Sequence, residues 1–304
     1  MLLQFAIKDF LDDRKFNNAS PVTIKGYSYD LNQFYRFITS KGKIDVEEIT
    51  PRDIKEFFFY CKEELNNNAV TVNHKLTNLK AFFNYLVKEG IIKESPVNIQ
   101  KQKTDVKIET FTDEQVRQML GYFRRLKQRE RTFYAYRDYL IILTLLGTGI
   151  RRGELCNLRW KDIGFENYKM TVIGKKRQQR TVPLTEKLRQ ELIEYQLFLK
   201  KRFSLTDDDF VFTTSTKKRL SENAIENVFK RLRKIMNFKD VKVAPHTFRH
   251  TFAKNWIMNG GDVFSLQRIL GHSTIEMTNR YVTLFGSALK EQNDKFNPLN
   301  NMDL

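Results

Sequence analysis

Apolar residues recur every three or four positions along much of the chain, which is the spacing of one face of an α-helix. Ser20 and Pro21 supply a helix cap and a first-turn proline, and an apolar stripe follows them. Its members are Ile24, Tyr27, Leu31, Phe34 and Ile38. Another stripe ends at Gly90 and contains Leu76, Leu79, Phe83 and Leu86. The pattern predicts a compact helical domain over residues 1–97.

A polar and basic stretch at residues 98–109 lacks this periodicity and predicts an exposed linker. After it, Thr112 and Gln115 have the spacing of a capping box, and a new apolar stripe begins. That stripe consists of Val116, Met119, Leu120 and Phe123. An apolar helix is then predicted from Tyr139 to the glycines of "GTG". These signals open a second domain, which we place at residues 110–285.

The segments "KMTVIG" and "RTVPL" predict two strands joined by the basic turn "KKRQQ". Further helices are predicted to start at Ser221 and around Pro245, Asp262 and Ser273. The predicted fold is therefore mainly α, with a helical N-terminal domain and a mostly α C-terminal domain that contains a small antiparallel sheet. Residues 286–304 form a tail that fits either a local helix or a frayed end; its signals are the cap Ser287 and the apolar residues Leu289 and Phe296.

The charge of the chain favours a polyanionic partner, because its 304 residues carry a net charge of +17. Residues 1–100 hold 14 Lys and Arg against 13 Asp and Glu, so nearly all the excess follows residue 100. Such a charge can serve solubility alone. Basic runs such as "GKKRQQR" and "KRLRK", with aromatic residues among them, favour nucleic acid instead.

The sequence gives no sign of a membrane or secreted protein. The most apolar stretch, residues 139–147, is too short to cross a bilayer, and the amino terminus lacks the basic start of a secretory signal. Cys61 and Cys156 lie far apart without paired spacing, which predicts neither a disulfide framework nor a structural zinc site. We therefore expect a cytoplasmic protein in a reducing compartment.

The segment "TGIRRGEL" places Arg151 at the start of a helix, just after a glycine pair that ends the preceding one. An arginine there can offer two donors to one phosphate, a geometry that lysine does not reproduce. The alternative is an ordinary surface arginine near a turn. Glu154 is interpreted as a partner that holds arginines in place, and Arg152 as backbone or surface support.

The turn "GKKRQQR" contains Lys175, which is either solvated charge or a proton donor to a departing alkoxide. In "PHTFRHTFA", His246 and Arg249 share one face of a helix, while His250 is interpreted as structural. His246 and His250 also have the spacing of two zinc ligands. Thr247 stands where the zinc-protease motif has its glutamate, which disfavours a metal.

In "LGHSTIEMTNRY", Ser273 and Glu276 have the spacing of a capping box, so a helix is predicted to begin at Ser273. His272 would then lie at a helix N-terminus, where the positive end of the helix dipole favours the binding of phosphate. Tyr281 is eight residues past Ser273 and is either a packing residue or a nucleophile. Negative charge that develops when a phenol attacks a phosphodiester can be neutralised by paired arginines without a metal.

The order of these residues, R…K…HxxR…H…Y, resembles the tyrosine recombinase (phage integrase) family, most closely its Xer-like members. The resemblance covers residues 110 to about 285. A weaker one, in "TIKGYSYDLNQFYRFI" and "VNHKLTNLKAFFNYLVKEGII", links the N-terminal domain to the SAM-like core-binding domain of that family. A histidine that many Xer-like members have two positions after the tyrosine is replaced here, in "YVT".

The resemblance implies a role for each site residue. Tyr281 would attack the scissile phosphate and form a 3′-phosphotyrosine, while Arg151 and Arg249 hold the non-bridging oxygens. Lys175 would be the general acid for the leaving 5′ oxygen. His246 would assist proton transfer at the nucleophile, and His272 would bind the phosphate. No cofactor, metal or ATP is implied.

The resemblance also implies partners: a double-stranded DNA recombination site, held by two protomers per site and four in synapsis. The tail would contact a neighbouring protomer. The resemblance leaves open whether accessory proteins take part. Two other functions share parts of this pattern. A type IB topoisomerase would nick and reseal one strand, and a DNA-binding regulator on the same scaffold would be catalytically silent. The six filled positions disfavour the regulator.

Overall fold

A computed structural model of the chain describes residues 1–104, 108–174, 178–285 and 293–294. The chain divides into two compact units, Met1–Val106 and Lys107–Leu304. The predicted fold class is confirmed, since the described residues are mainly helical and contain one small antiparallel sheet.

Unit 1 is helical in its described part, and its helices are α1 (Leu3–Phe16), α2 (Pro21–Ser40), α3 (Pro51–Glu63) and α4 (Ala69–Lys88). Ser20 caps α2 as predicted, because its hydroxyl accepts the backbone N–H of Thr23 at 3.2 Å. The C-terminal half of the predicted α2 stripe is buried, as is the whole of the α4 stripe. Aromatic rings meet edge to face in this core; they include Phe10, Phe34, Phe57, Phe82 and Phe83.

The segment after α4 is held to unit 1 by an asparagine. Asn73 on α4 donates to the backbone oxygen of Gln102 and accepts from its backbone N–H, both at 2.8 Å. The two bonds satisfy both backbone groups of a residue that belongs to no regular element. The N-terminal part of the predicted linker is therefore anchored to α4.

In its described part, unit 2 contains eight helices and a three-stranded sheet. The helices are α5 (Asp113–Glu130), α6 (Phe133–Thr148), α7 (Arg152–Asn157), α8 (Glu186–Lys200), α9 (Glu222–Met236), α10 (Pro245–Met258), α11 (Val263–Leu270) and α12 (Glu276–Phe285). The strands, β1 (Ile163–Gly164), β2 (Lys169–Ile173) and β3 (Gln179–Pro183), form an antiparallel sheet in that order.

The apolar helix α6 starts earlier than the sequence pattern indicated. Its cap is Thr132, whose hydroxyl accepts the N–H of Ala135 at 3.3 Å, and its first residue is Phe133 rather than Tyr139. The helix is apolar because it runs through the core of unit 2, with most of its residues buried. Among the described residues, no helix combines the length and the apolar character needed to span a bilayer.

The β2–β3 pairing aligns Val172 with Arg180 and Met170 with Val182. Val172 and Val182 are buried, so this register fixes the face of the hairpin from which Arg180 extends. The turn that carries Lys175 lies outside the described residues.

The cap of α5 offers a direct test of the fold. Thr112 accepts the N–H of Gln115 at 3.2 Å, and the side chain of Gln115 accepts the N–H of Thr112 at 3.0 Å. We expect Thr112→Ala to lower the free energy of unfolding by about 1 kcal/mol, because the variant leaves an N-terminal helix donor without its cap.

Urea denaturation measures this change in the free energy of unfolding. Thr71→Ala, in the exposed first turn of α4, is the control and should change stability by less than about 0.5 kcal/mol. Equal effects would contradict the capping role.

Candidate active site

Arg151 and Arg249 reach the site from different helices. α6 ends at Gly149, whose φ of +62° is left-handed, and the chain then turns so that Arg151 becomes the N-cap residue of α7. A Cβ on Gly149 would lie 2.6 Å from Phe252, so the turn requires glycine for space as well as for conformation. Arg249 lies on α10 and is 5% exposed. One of its terminal nitrogens donates to the oxygen of Gly149 at 2.8 Å.

Three arginines converge on three consecutive backbone oxygens at the end of α11. Arg180 donates from Nε to the oxygen of Ile269 at 2.7 Å, and Arg249 donates from Nη2 to that of Leu270 at 2.7 Å. Arg151 donates from Nη2 to the oxygen of Gly271 at 2.9 Å. Carbonyls at a helix C-terminus lack partners within the helix and carry partial negative charge. The cations therefore cap this end and position the loop that follows.

Glu154 joins two of these arginines. Its buried carboxylate accepts two bonds from Arg180, at 2.7 and 2.8 Å, and it also accepts the backbone N–H and the guanidinium of Arg151, at 2.7 and 3.0 Å. Burial raises the pKa of Glu154, but the hydrogen bonds from Arg180 and Arg151 outweigh it and hold the pKa below its ordinary value. The interpretation of Glu154 as a partner of arginines agrees with these contacts. Arg152 instead pairs with Glu222 and Glu226.

Arg180 is the functional residue that the sequence analysis missed. Its side chain is 13% exposed, and its contacts lie 26 and 89 residues away along the chain. Gly271 makes room for it, since a Cβ there would lie 2.9 Å from the side chain of Arg180. Only its position in "GKKRQQR", which ends at Arg180, distinguished it in the sequence.

Three of the four histidines of the chain surround the arginines. His246 lies in the first turn of α10 and shares a face with Arg249, and burial and then Arg249 lower its pKa. His272 follows Gly271, and its Nδ1 is 2.9 Å from the hydroxyl of Thr278. Burial, then Arg249 and Arg151, lower the pKa of His272 to about 4, so its imidazole is neutral at pH 7.

The predicted capping box of Ser273 and Glu276 is wrong. α12 begins at Glu276, and the hydroxyl of Ser273 contacts the sulfur of Met277 at 3.7 Å. The reason is that Gly271 and His272 form the C-terminal cap of α11. Their N–H groups donate to the oxygen of Gln267 at 2.8 and 3.1 Å, so the chain needs further residues to turn before a new helix can begin.

Tyr281 on α12 is 3% exposed, and its ring belongs to a small apolar cluster formed by Ala253, Ile257, Leu266 and Leu270. Its hydroxyl is 2.7 Å from Nδ1 of His250. The ring of Tyr281 is also parallel to that of His272, with centroids 6.4 Å apart. Burial raises the pKa of Tyr281, and Arg249 and Arg280 oppose the shift. The residue is thus both a packing residue and a phenol inside the polar site.

The structure brings together five of the six predicted site residues. Arg151, Arg249 and His272 are joined through the end of α11, His246 lies one turn before His250 on α10, and Tyr281 is bonded to His250. Lys175 lies outside the described residues. His250, interpreted as a structural residue, has Tyr281 as its hydrogen-bond partner, which the sequence did not identify. Within the described ranges, no group of three or more His, Cys, Asp or Glu is arranged to hold a metal.

Comparison with known proteins identifies the family. Residues 109–286 match the phage integrase family, and residues 7–93 match the phage integrase N-terminal SAM-like domain. The tyrosine recombinase XerC of Thermodesulfovibrio yellowstonii is 30% identical over 99% of this chain and 98% of its own length. The chain therefore belongs to the phage integrase family, and the resemblance to an Xer-like tyrosine recombinase is confirmed.

Solved structures share the fold. A crystal structure of XerA recombinase is 27% identical, with a TM-score of 0.51, and the match covers 96% of this chain and 98% of that one. The integrase of the Tn1549 transposon, in complex with a circular intermediate DNA, is 23% identical and has a TM-score of 0.77. That match covers 92% of this chain and 94% of the integrase chain.

Glu154→Gln tests the carboxylate that joins the arginines. We expect a loss of about 1–3 kcal/mol in the free energy of unfolding at pH 7, because the amide turns N–H groups toward arginine donors in a buried site. The pKa of Glu154 in the folded protein is below 4.5, so its charge stabilises the fold above that value and the contribution disappears as the pH falls further.

Urea denaturation at several pH values should therefore show that the difference between the wild type and Glu154→Gln narrows below pH 4.5. The matched control is Glu222→Gln. Glu222 pairs with Arg152 at a more exposed position, so this variant should lose less than about 1 kcal/mol. A difference between wild type and Glu154→Gln that stays constant with pH would contradict the ion-pair assignment.

Proposed function

We propose that this protein is a site-specific DNA recombinase that cuts and rejoins duplex DNA through a 3′-phosphotyrosine at Tyr281, without metal or ATP. The observation that carries the proposal is the juxtaposition of Arg249 and Tyr281. Arg249 is close enough to Tyr281 to oppose the rise in its pKa, and it is bonded to the same helix end as Arg151. Cleavage and rejoining exchange one phosphodiester for another, so the reaction needs no external energy source.

The two arginines supply the charge that a phosphoryl transfer needs. A phosphorane-like transition state spreads negative charge over its non-bridging oxygens, and preorganised guanidinium donors stabilise that charge. Arg249 remains a cation at pH 7, although burial and Arg151 lower its pKa to about 9. We assign Arg151 and Arg249 to the two non-bridging oxygens and His272 to a hydrogen bond with the phosphate. Lys175 would protonate the leaving 5′ oxygen, and His246 would assist proton transfer at the nucleophile.

Unit 1 is proposed to be a core-binding domain that acts with unit 2 on duplex DNA. Its match to a SAM-like domain of phage integrases supports this role. The net charge of +17, nearly all of which follows residue 100, favours DNA as the partner of unit 2. A XerH recombinase has been solved bound to its difH substrate, and a λ integrase has been solved as a dimer on a core site. By analogy, we propose that two protomers bind each DNA site and that four assemble in synapsis. Residues 286–304 would contact a neighbouring protomer. We also propose that the protein acts in the cytoplasm.

Covalent capture tests the proposed function. Wild-type protein is incubated with a randomised library of nicked duplexes, and denaturation then isolates the protein–DNA adducts. Sequencing the captured strands gives the site, and paired copies of that site should yield recombinant products. Relaxation of supercoiled DNA without recombinants would favour a type IB topoisomerase. DNA binding without any adduct would favour a catalytically silent regulator.

We expect Tyr281→Phe to bind the captured duplex with unchanged affinity and to form no adduct, because the variant keeps the ring in its apolar cluster and removes the attacking oxygen. Gel electrophoresis under denaturing conditions detects the adduct, and a binding titration measures the affinity. Tyr195→Phe, in the core of unit 2, is the matched control and should still form the adduct. An adduct that persists in Tyr281→Phe would assign the nucleophile elsewhere.

We expect Arg151→Ala to slow single-turnover cleavage by about 100-fold to 1,000-fold, because one preorganised donor group to the transition state is lost. Arg249→Lys should also slow cleavage, since lysine keeps the charge without the fork of donors. Arg152→Ala is the control next in sequence, and its ion pairs lie with Glu222 and Glu226 instead. The proposed phosphate clamp is wrong if Arg151→Ala and Arg152→Ala cleave equally fast.

A further inference from the structure

The hydroxyl of Tyr281 already has a proton acceptor beside it. Nδ1 of His250 is 2.7 Å from the phenolic oxygen, and the two ring centroids are 5.8 Å apart. The histidine lies on α10 directly after Arg249, and the tyrosine lies on α12. Since a general base must be within hydrogen-bond distance of the proton that it removes, this geometry meets the first requirement for the role.

The protonation states fix the direction of the bond. Burial, followed by the nearby charges of His246 and Arg249, lowers the pKa of His250 to about 4, and burial raises the pKa of Tyr281. At pH 7 the imidazole is therefore neutral and the phenol is protonated. The phenol donates to Nδ1, and the hydrogen of the imidazole lies on Nε2.

The geometry points to His250 as the catalytic base that removes the proton from Tyr281, an inference that rests on the proposed function. The lone pair of the phenolic oxygen forms the new bond to phosphorus, and the phenolic proton moves to Nδ1 of His250. The bond between phosphorus and the 5′ oxygen breaks, and its electron pair leaves with that oxygen, which takes a proton from Lys175. Rejoining reverses the step, and His250 returns its proton to the phenolic oxygen.

The other two histidines of the site are less well placed for this step. Nδ1 of His272 is 2.9 Å from the hydroxyl of Thr278, so this nitrogen already has a partner, and the ring lies parallel to that of Tyr281 with centroids 6.4 Å apart. His246 lies one helical turn before His250, among Arg249, Arg152, Arg151 and Glu226. Two of these neighbours, Arg249 and Arg151, are the groups that would face the phosphate.

The bound phosphate would make His250 a stronger base. His246 and Arg249 on α10, His272 before α12 and Tyr281 on α12 are the titratable groups around His250, and the cations among them disfavour an imidazolium. A phosphodiester anion held by Arg151 and Arg249 supplies the opposite charge, which favours the protonated form. The protein without DNA thus keeps its nucleophile protonated, and the base acts once the phosphate is in place.

The variants His250→Phe and His250→Asn separate catalysis from packing. Asparagine can place a hydrogen-bond acceptor near the position of Nδ1 but is not a base at any relevant pH. Single-turnover cleavage of the captured nicked duplex should be about 100-fold to 10,000-fold slower in both variants at pH 7, with unchanged affinity for the duplex. In both, the rate should keep rising with pH beyond the point at which the wild type levels off, because hydroxide must replace the missing base.

A duplex with sulfur in place of the bridging 5′ oxygen distinguishes a defect in protonating the leaving group from a defect in activating the nucleophile. Thiolate leaves without a general acid, so this substrate should restore cleavage by Lys175→Ala and should not restore it in the His250 variants. Tyr195→Phe, in the core of unit 2 and measured in parallel, should keep the pH profile of the wild type. Thermal unfolding shows whether each variant is folded. If His250→Phe does not fold, the cleavage rate and pH profile of His250→Asn decide the test.

Wild-type cleavage rates in His250→Asn, or a pH profile like that of the wild type, would overturn the role of His250 while leaving the proposed function intact. Restoration of the His250 variants by the sulfur substrate would do the same. If the wild type forms no adduct with any duplex, the proposed function fails, and the assignment of His250 fails with it.

Discussion

The site depends on the hydrogen bonds by which three arginines hold the C-terminal end of α11. Three guanidinium groups lie together in a partly buried place, an arrangement that would be unfavourable if the charges were left unpaired. Three backbone oxygens in a row and the carboxylate of Glu154 accept their hydrogen bonds. Because those oxygens belong to residues 269–271, the same bonds that compensate the cations also fix the position of His272.

This network joins the end of α11 to four other elements. Arg151 begins α7, Arg180 lies on β3, Arg249 and His250 lie on α10, and α12 contributes Tyr281. Two left-handed glycines, Gly149 and Gly271, permit the close approach, since a Cβ at either position would press against a neighbouring side chain. A shift in one element would therefore disturb contacts in the others, and preorganisation of this kind is what charge stabilisation in a transition state requires.

The excess of positive charge in the site would fall when a phosphodiester anion binds. Burial, and after it the nearby arginines and histidines, lower the pKa values of His246, His250 and His272, so these imidazoles are neutral hydrogen-bonding groups when no phosphate is present. The phenol of Tyr281 is protonated for the same reason of burial. A phosphodiester would relieve the excess of positive charge. Substrate binding and activation of the nucleophile would then be two results of one electrostatic change.

Local sequence determined the features that depend on neighbouring residues. The caps Ser20 and Thr112, the apolar stripes, the β2–β3 hairpin and the position of Arg151 before a helix followed from side chains within a few residues of one another. The ordered pattern of arginines, histidines and tyrosine was sufficient for the family and for the fold class. Only tertiary structure could show the contacts of Arg180 and His250, because their partners Ile269 and Tyr281 are 89 and 31 residues away. The start of α12 was missed for a different reason: Gly271 and His272 donate to the oxygen of Gln267 and so complete the end of α11, which outweighs the capping preference of Ser273.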